Sequence, residues 1–176
     1  MGSENGAVEG SPKDVRVAIV GSGFSGLGMA IRLKEAGIED FVVLERGEDV
    51  GGTWHYNTYP GCACDVPSHL YSFSFAPNPD WTRTYSKQPE IREYLRQCAD
   101  RFGVRRHIRF RHELIGATWD DEARRWEIET TGGSFRAGSC WPAWGRWPSP
   151  RLPSSRASRT SRELSSTRPA GITTTT

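Results

Sequence analysis

Six consecutive residues, Gly21-Ser22-Gly23-Phe24-Ser25-Gly26, carry the first chemistry legible in the chain. Their spacing is G-x-G-x-x-G, in which the first glycine permits a tight turn, the second lets backbone approach a pyrophosphate, and the third lets a helix pack on a strand. Peptide N–H groups at the start of that helix would face the phosphates. Glu45 stands 19 residues beyond Gly26, at the end of a second apolar run. A carboxylate there accepts hydrogen bonds from ribose hydroxyls and repels a 2′-phosphate, which favours FAD or NAD over NADP. Downstream, Gly51-Gly52 offers backbone without side chains, Thr53 a hydroxyl and Trp54 a flat wall, a set suited to packing along an extended cofactor. Asn57 to Gly61 reads as a Pro/Gly turn that delivers Asp65, Ser68 and Tyr71 toward the same place. Taken singly, Trp54 and Tyr71 could be core aromatics and Asp65 the cap of a local turn. The ordered spacing is what favours the cofactor.

These groups need a strand, a turn, a helix and a second strand to position them. Asp14 to Val20 is a β-branched run of the kind that forms a buried parallel strand. Ser25 to Ala36 follows as a helix with Leu27, Ala30, Ile31 and Lys34 on one face and Gly37 as its stop. Phe41 to Leu44 is the second strand. Further on, Gln88 to Phe102 is a helix with Pro89 near its first turn, Ile91, Leu95, Cys98 and Phe102 on one face, and Gly103 beyond its end. Leu114 to Trp119 and Arg125 to Glu129 are strands, and a turn over 131–134 leads into a third at Phe135, which makes a β-meander. In Arg105 to Glu113 (RRHIRFRHE), Ile108 and Phe110 alternate with arginines, the pattern of a strand with a solvated face rather than a nucleic-acid patch. The fold class expected is α/β, a Rossmann-type domain with a parallel sheet, a βαβ unit and a β-meander.

The stretch GGTWHYNTYPGCACDVPSHLYSFSF, together with GSGFSG and VVLER, resembles the class B flavoprotein monooxygenases, which include Baeyer–Villiger and flavin-containing monooxygenases. The likeness covers about residues 14–136 and leans to the Baeyer–Villiger branch. It implies that Gly21, Gly23, Phe24, Ser25 and Gly26 hold the FAD pyrophosphate and that Glu45, with Arg46 beside it, serves the adenosine ribose. It further implies that Gly52, Thr53 and Trp54 line the flavin, that Asp65 lies near the isoalloxazine and nicotinamide, and that Tyr71 contacts the flavin. Leu114 matches a residue whose backbone meets the adenine. In the intact family, NADPH reduces FAD, O₂ adds to give a C4a-peroxyflavin, and the oxygen passes to a small organic ketone or heteroatom substrate. The cofactor supplies that chemistry, so a catalytic side-chain set is not required. A fragment of another FAD-dependent pyridine-nucleotide oxidoreductase, or a non-catalytic FAD-binding protein, are the competing readings.

Composition limits the rest. Four cysteines in the 176 residues form no C-x-x-C pair and the four histidines are scattered, so buried thiols are expected rather than a metal site. Met1 to Lys13 is polar and Gly/Ser-rich, which reads as a disordered leader of a cytoplasmic chain, and no apolar run is long enough for a membrane helix. Residues 1–136 carry a net charge of −3 and residues 137–176 one of +5. The last forty lose apolar periodicity altogether, so residues 14–137 are expected to form most of a three-layer FAD-binding domain and 138–176 a disordered basic tail. That tail's arginines lack the clustering and aromatic interleaving of a nucleic-acid site.

The strand expected to close the sheet is also missing from the text after Ala137, and a shifted reading frame accounts for it. If each codon took the last base of one observed codon and the first two of the next, Cys140/Trp141 forces Leu, Trp141/Pro142 forces Ala and Trp144/Gly145 forces Gly. The outcome, apolar-Leu-Ala-x-apolar-Gly, is the missing strand. The same shift permits FEGALFHSARW farther on, which fits the F-x-G-x-x-x-H-x-x-x-W fingerprint of Baeyer–Villiger monooxygenases.

Overall fold

The computed structural model describes residues 12–143. The expected tail over 144–176 and residues 1–11 of the expected leader lie outside the described residues. Lys13, placed at the leader's end, instead begins the first strand, β1 (Lys13–Val20).

From β1 the chain turns at the glycine loop into helix α1 (Phe24–Glu35) and returns as β2 (Phe41–Leu44). Short α2 (Thr53–Tyr56) follows, then α3 (Gln88–Arg101), a two-residue strand β3 (Ile108–Arg109), and the meander β4 (Leu114–Asp120), β5 (Arg125–Thr130) and β6 (Gly133–Pro142). The six strands form one sheet in the order β3-β2-β1-β6-β5-β4. The first four of that order are mutually parallel, and the β6-β5-β4 pairs are antiparallel.

Strand periodicity explains how the sheet is covered. Ile19 and Val43 point to one face and pack with Leu27 and Ile31 of α1 and Ile91 and Leu95 of α3, all fully buried. Ala18, Val20, Val42 and Leu44 point to the other face, where Leu114, Ile128 and Phe135 of the meander close over them. All four residues of β2 are buried, as a central parallel strand requires. Helices α1 and α3 are joined at their ends: the Lys34 Nζ donates to the Phe102 and Gly103 carbonyls at 2.8 and 3.2 Å, a cation on the negative end of α3.

Two expectations need correction. The arginine-rich stretch is not one strand: Arg105–His107 is a single 3₁₀ turn, only Ile108–Arg109 pairs with β2, and Arg111 takes φ 58°, which ends the extended run. Its alternation still serves, with Ile108 buried and Arg109 exposed. The second correction concerns the sheet's closing strand. Gly138 to Pro142, expected to be disordered, continues β6 in register with β1, pairing Val17 with Ser139, Ala18 with Cys140, Ile19 with Trp141 and Val20 with Pro142. The Ala143 N–H then donates to the Val20 carbonyl at 2.9 Å. A parallel ladder uses main-chain groups only, and β1 presents a free edge of them, so the pairing forms without a side-chain pattern to announce it.

Candidate functional site

The glycine loop, α2 and the loop to α3 meet at the carboxyl ends of β1 and β2, where ligands bind in open α/β sheets. Gly26 opens the way for α1 to pack: a Cβ there would lie 1.9 Å from the Gly21 carbonyl oxygen. Gly23 and Gly52 stand back to back across the two loops. A Cβ on Gly52, whose φ is 54°, would lie 2.9 Å from the Gly23 Cα. The Gly51 N–H donates to the Ser22 carbonyl at 3.0 Å and holds the loops together. This is a surface of bare backbone that any side chain would fill, which fits a phosphate chain lying along it.

Glu45 lies beside that surface and is 3% exposed. Its carboxylate accepts four hydrogen bonds: from the Ser22 N–H at 2.8 Å, the Ser22 hydroxyl at 2.6 Å, the Gly47 N–H at 2.8 Å and the Tyr56 hydroxyl at 2.8 Å. Burial, then the hydrogen bond to Glu45 and its charge, push the Tyr56 hydroxyl up to about 12. The exposed Arg46 guanidinium lies 4.5 Å over the Tyr56 ring. Leu114 is brought alongside because the His112 and Arg111 N–H groups donate to the Glu45 and Gly47 carbonyls, each at 2.9 Å.

A second group of aromatics borders the glycine loop. The Trp54 Nε1–H donates to the Tyr71 hydroxyl at 3.2 Å, and their rings meet edge to face at 5.4 Å. Phe24, from the loop itself, meets Tyr71 edge-on at 5.1 Å. Burial raises the Tyr71 pKa; the bond from Trp54 opposes it, and the nearby Asp65 charge adds to it. Asp65, Ser25 and Thr53 are exposed at the rim.

Residues 19–96 match the family model described as an NAD(P)-binding Rossmann-like domain. A Baeyer–Villiger monooxygenase of Streptomyces coelicolor is 60% identical over 139 residues, covering 79% of this chain and 27% of the relative. The homologues of this chain are Baeyer–Villiger monooxygenases. A second Baeyer–Villiger monooxygenase, of Pseudomonas aeruginosa, is 45% identical over 139 residues, covering 78% of the chain and 26% of the relative. Among solved structures, an oxidized steroid monooxygenase bound to NADP superposes with a TM-score of 0.72 at 38% identity, over 76% of this chain and 26% of that one. A cyclohexanone monooxygenase mutant from Rhodococcus sp. Phi1 bound to NADP⁺ gives 0.74 at 36% identity, over 81% and 28%. The chain thus spans about a quarter of the length of the curated relatives it matches.

Within this chain the structure brings together the glycine loop, Glu45, Gly52, Trp54 and Tyr71, with Arg46 and Leu114 at the Glu45 end. Sequence reading missed four residues that hold them there. Ser22 and Tyr56 supply three of the four donors on Glu45. The Gln88 side-chain amide donates to the Trp54 carbonyl, and its N–H to the Cys62 carbonyl at 2.9 Å. Asp49 anchors the loop before Gly51-Gly52 on α3 by ion pairs to Arg92 at 3.3 Å and Arg96 at 2.9 Å, and reaches Arg105 at 3.2 Å. Burial would raise the Asp49 pKa, but the Val50 N–H and the Arg96 and Arg105 guanidinium groups outweigh it and hold the carboxyl below its ordinary value. Ser22 was detectable as the first variable position of the glycine motif. The other three had no motif to mark them. Cys62, Cys64, Cys98 and Cys140 are all free thiols, and among the described residues no helix is long and apolar enough to cross a membrane.

Proposed function

We propose that the chain supplies the FAD-binding part of an NADPH- and O₂-dependent monooxygenase of the Baeyer–Villiger type, acting in the cytoplasm on a small organic ketone or heteroatom compound. The observation that carries this reading is the meeting of Gly23 and Gly52 beside the Trp54–Tyr71 pair, bare backbone next to an aromatic wall. FAD, when bound, supplies the redox chemistry by taking a hydride from NADPH and activating dioxygen. The chain's own residues bind and orient. The backbone at Gly21 to Gly26 receives the pyrophosphate at the α1 N-terminus. Glu45 takes the adenosine ribose. Because its four acceptor positions are filled, Glu45 would release the Ser22 or Tyr56 hydroxyl to accept from the ribose, while the Ser22 and Gly47 N–H groups keep the carboxylate in place. Trp54 and Tyr71 limit where a ring can lie, and exposed Thr53 and Asp65 face whatever enters from the rim.

Titration of the purified chain with FAD, followed by flavin fluorescence and visible absorbance, tests this. Saturable binding that weakens at least tenfold in Glu45→Gln is expected, since the amide cannot accept from all four donors. A wild-type chain that takes up no FAD overturns it.

We also infer that the reading frame shifts near Gly138. Supporting this, Ser139 and Trp141 occupy paired positions in a parallel strand while remaining exposed, where shifted codons spell apolar residues. Sequencing the gene across Arg136 to Gly138 tests it: a confirmed frame, with no better open frame alongside, overturns it.

A further inference from the structure

Phe73 and Ala76 face each other in an isolated antiparallel bridge that is only half closed. The Ala76 N–H donates to the Phe73 carbonyl at 2.9 Å. The reciprocal bond is replaced by a side chain from α3: the Phe73 N–H donates to the Tyr94 hydroxyl at 2.8 Å, and that hydroxyl donates to the Ala76 carbonyl at 2.7 Å. One phenol therefore completes the turn, with its oxygen serving as acceptor and donor at once. Tyr94 is 6% exposed and Ala76 3%, so water cannot take over either bond. Burial keeps the hydroxyl protonated far above the ordinary tyrosine range, against the opposing pull of the Phe73 N–H.

The Tyr94 ring continues the connection. It lies against Phe24 at 6.1 Å, Phe73 at 6.0 Å and Trp81 at 5.5 Å. Phe73 in turn meets Phe24 at 5.2 Å and fills the space over Gly28, where a Cβ would come within 3.1 Å of its ring. Phe24 abuts Tyr71, and Tyr71 accepts the Trp54 indole bond. An unbroken series of contacts thus runs from the Tyr94 hydroxyl to the aromatic wall.

We infer that Tyr94 is a positioning residue for the flavin pocket, fixing the Phe73–Ala76 turn and, through Phe73 and Phe24, the placement of Tyr71 and Trp54. This rests on the FAD-binding reading given above. Tyr94 acts through the turn and the Phe24 ring rather than as one of the proposed ligand contacts.

Tyr94→Phe removes the oxygen and keeps the ring. Hydrogen exchange of the chain without FAD is expected to show the Phe73 amide losing protection about tenfold, because its acceptor is gone. With FAD added, the variant is expected to bind roughly tenfold more weakly and to change the visible circular dichroism of the bound flavin. Ile128→Val, in the core on the opposite face of the sheet, serves as the comparison for simple destabilisation; it should lower thermal stability while leaving affinity and the flavin spectrum as in wild type. Unchanged Phe73 exchange, or Tyr94→Phe binding FAD with wild-type affinity and spectrum, overturns the positioning role alone. A wild-type chain that binds no FAD overturns that role together with the reading on which it rests.

Discussion

The two halves of β6 lie along the same neighbour, β1, and are held in different ways. In the first half Phe135 and Ala137 are 3% and 1% exposed and pack into the core shared with Leu114 and Ile128. Beyond Ala137 the ladder to β1 continues without a break, yet Gly138 and Ser139 are exposed, Cys140 is half-buried and Trp141 is 47% exposed. The first half is specified by side chains and the second chiefly by main-chain pairing, with Cys140 packed against the same core. Hydrogen bonding can extend a strand through text that carries no strand pattern, but it brings little of the apolar burial that would hold the strand there.

The largest effect should come where the two regions meet the glycine loop. Gly26 has the Gly21 carbonyl within 1.9 Å of a Cβ position and the Ala143 side chain within 3.4 Å of it, so Gly26→Val should remove most of the folding free energy, ~5 kcal/mol or more. Loss of cooperative unfolding by circular dichroism is the measurement; a variant that melts like wild type would show that α1 does not pack as described. Next, Phe135→Ala in the specified half should cost about 3–5 kcal/mol in urea denaturation. A cost under ~1 kcal/mol would erase the distinction between the halves.

Cys140 gives a pH-dependent test of the second half. Burial raises its thiol from an ordinary 9.0 to about 11. Between those values the unfolded chain ionises while the folded chain keeps its proton. Stability should therefore fall as pH rises through that window, by roughly 2 kcal/mol at pH 11. Cys140→Ala should remove that part of the decline, read as the difference between the two chains' urea midpoints at pH 8 and pH 11. An identical pH slope in both would mean that Cys140 is solvated and the distal strand is not seated. The smallest effect is expected for Trp141→Ala, within about 0.5 kcal/mol despite the size of the side chain removed. A large loss there would place Trp141 in a packed environment and merge the two halves.

The same contrast separates what the sequence disclosed from what it did not. The βαβ unit was legible because β1, the glycine loop, α1 and β2 each leave a periodic or steric signature: Ile19 against Leu27 and Ile31, four buried residues in β2, and a helix beginning within one residue of its expected start. Helix α3 was legible for the same reason, from Ile91, Leu95 and Cys98 on one face. Residues 105–113 were misread because a two-residue alternation cannot be told from a longer strand when the residue that stops it, Arg111 at φ 58°, is not a glycine. The distal half of β6 was invisible because main-chain pairing leaves no trace in side-chain type. In the site, the residues proposed to touch a ligand carry a motif spacing, whereas their supports carry none. Tyr56, Gln88, Asp49 and Tyr94 act through hydrogen bonds and ion pairs 11 to 56 residues away in the chain.

The back-to-back placement of Gly23 and Gly52 has a consequence for how this sequence can change. Each glycine is the other's nearest obstacle, and neither has a side chain left to shorten. A side chain gained at Gly52, where a Cβ would come within 2.9 Å of the Gly23 Cα, therefore cannot be rescued by a smaller residue opposite; only a parting of the two loops could make room. Two motifs 29 residues apart are in this sense one unit of variation, tied together by the absence of atoms on both sides.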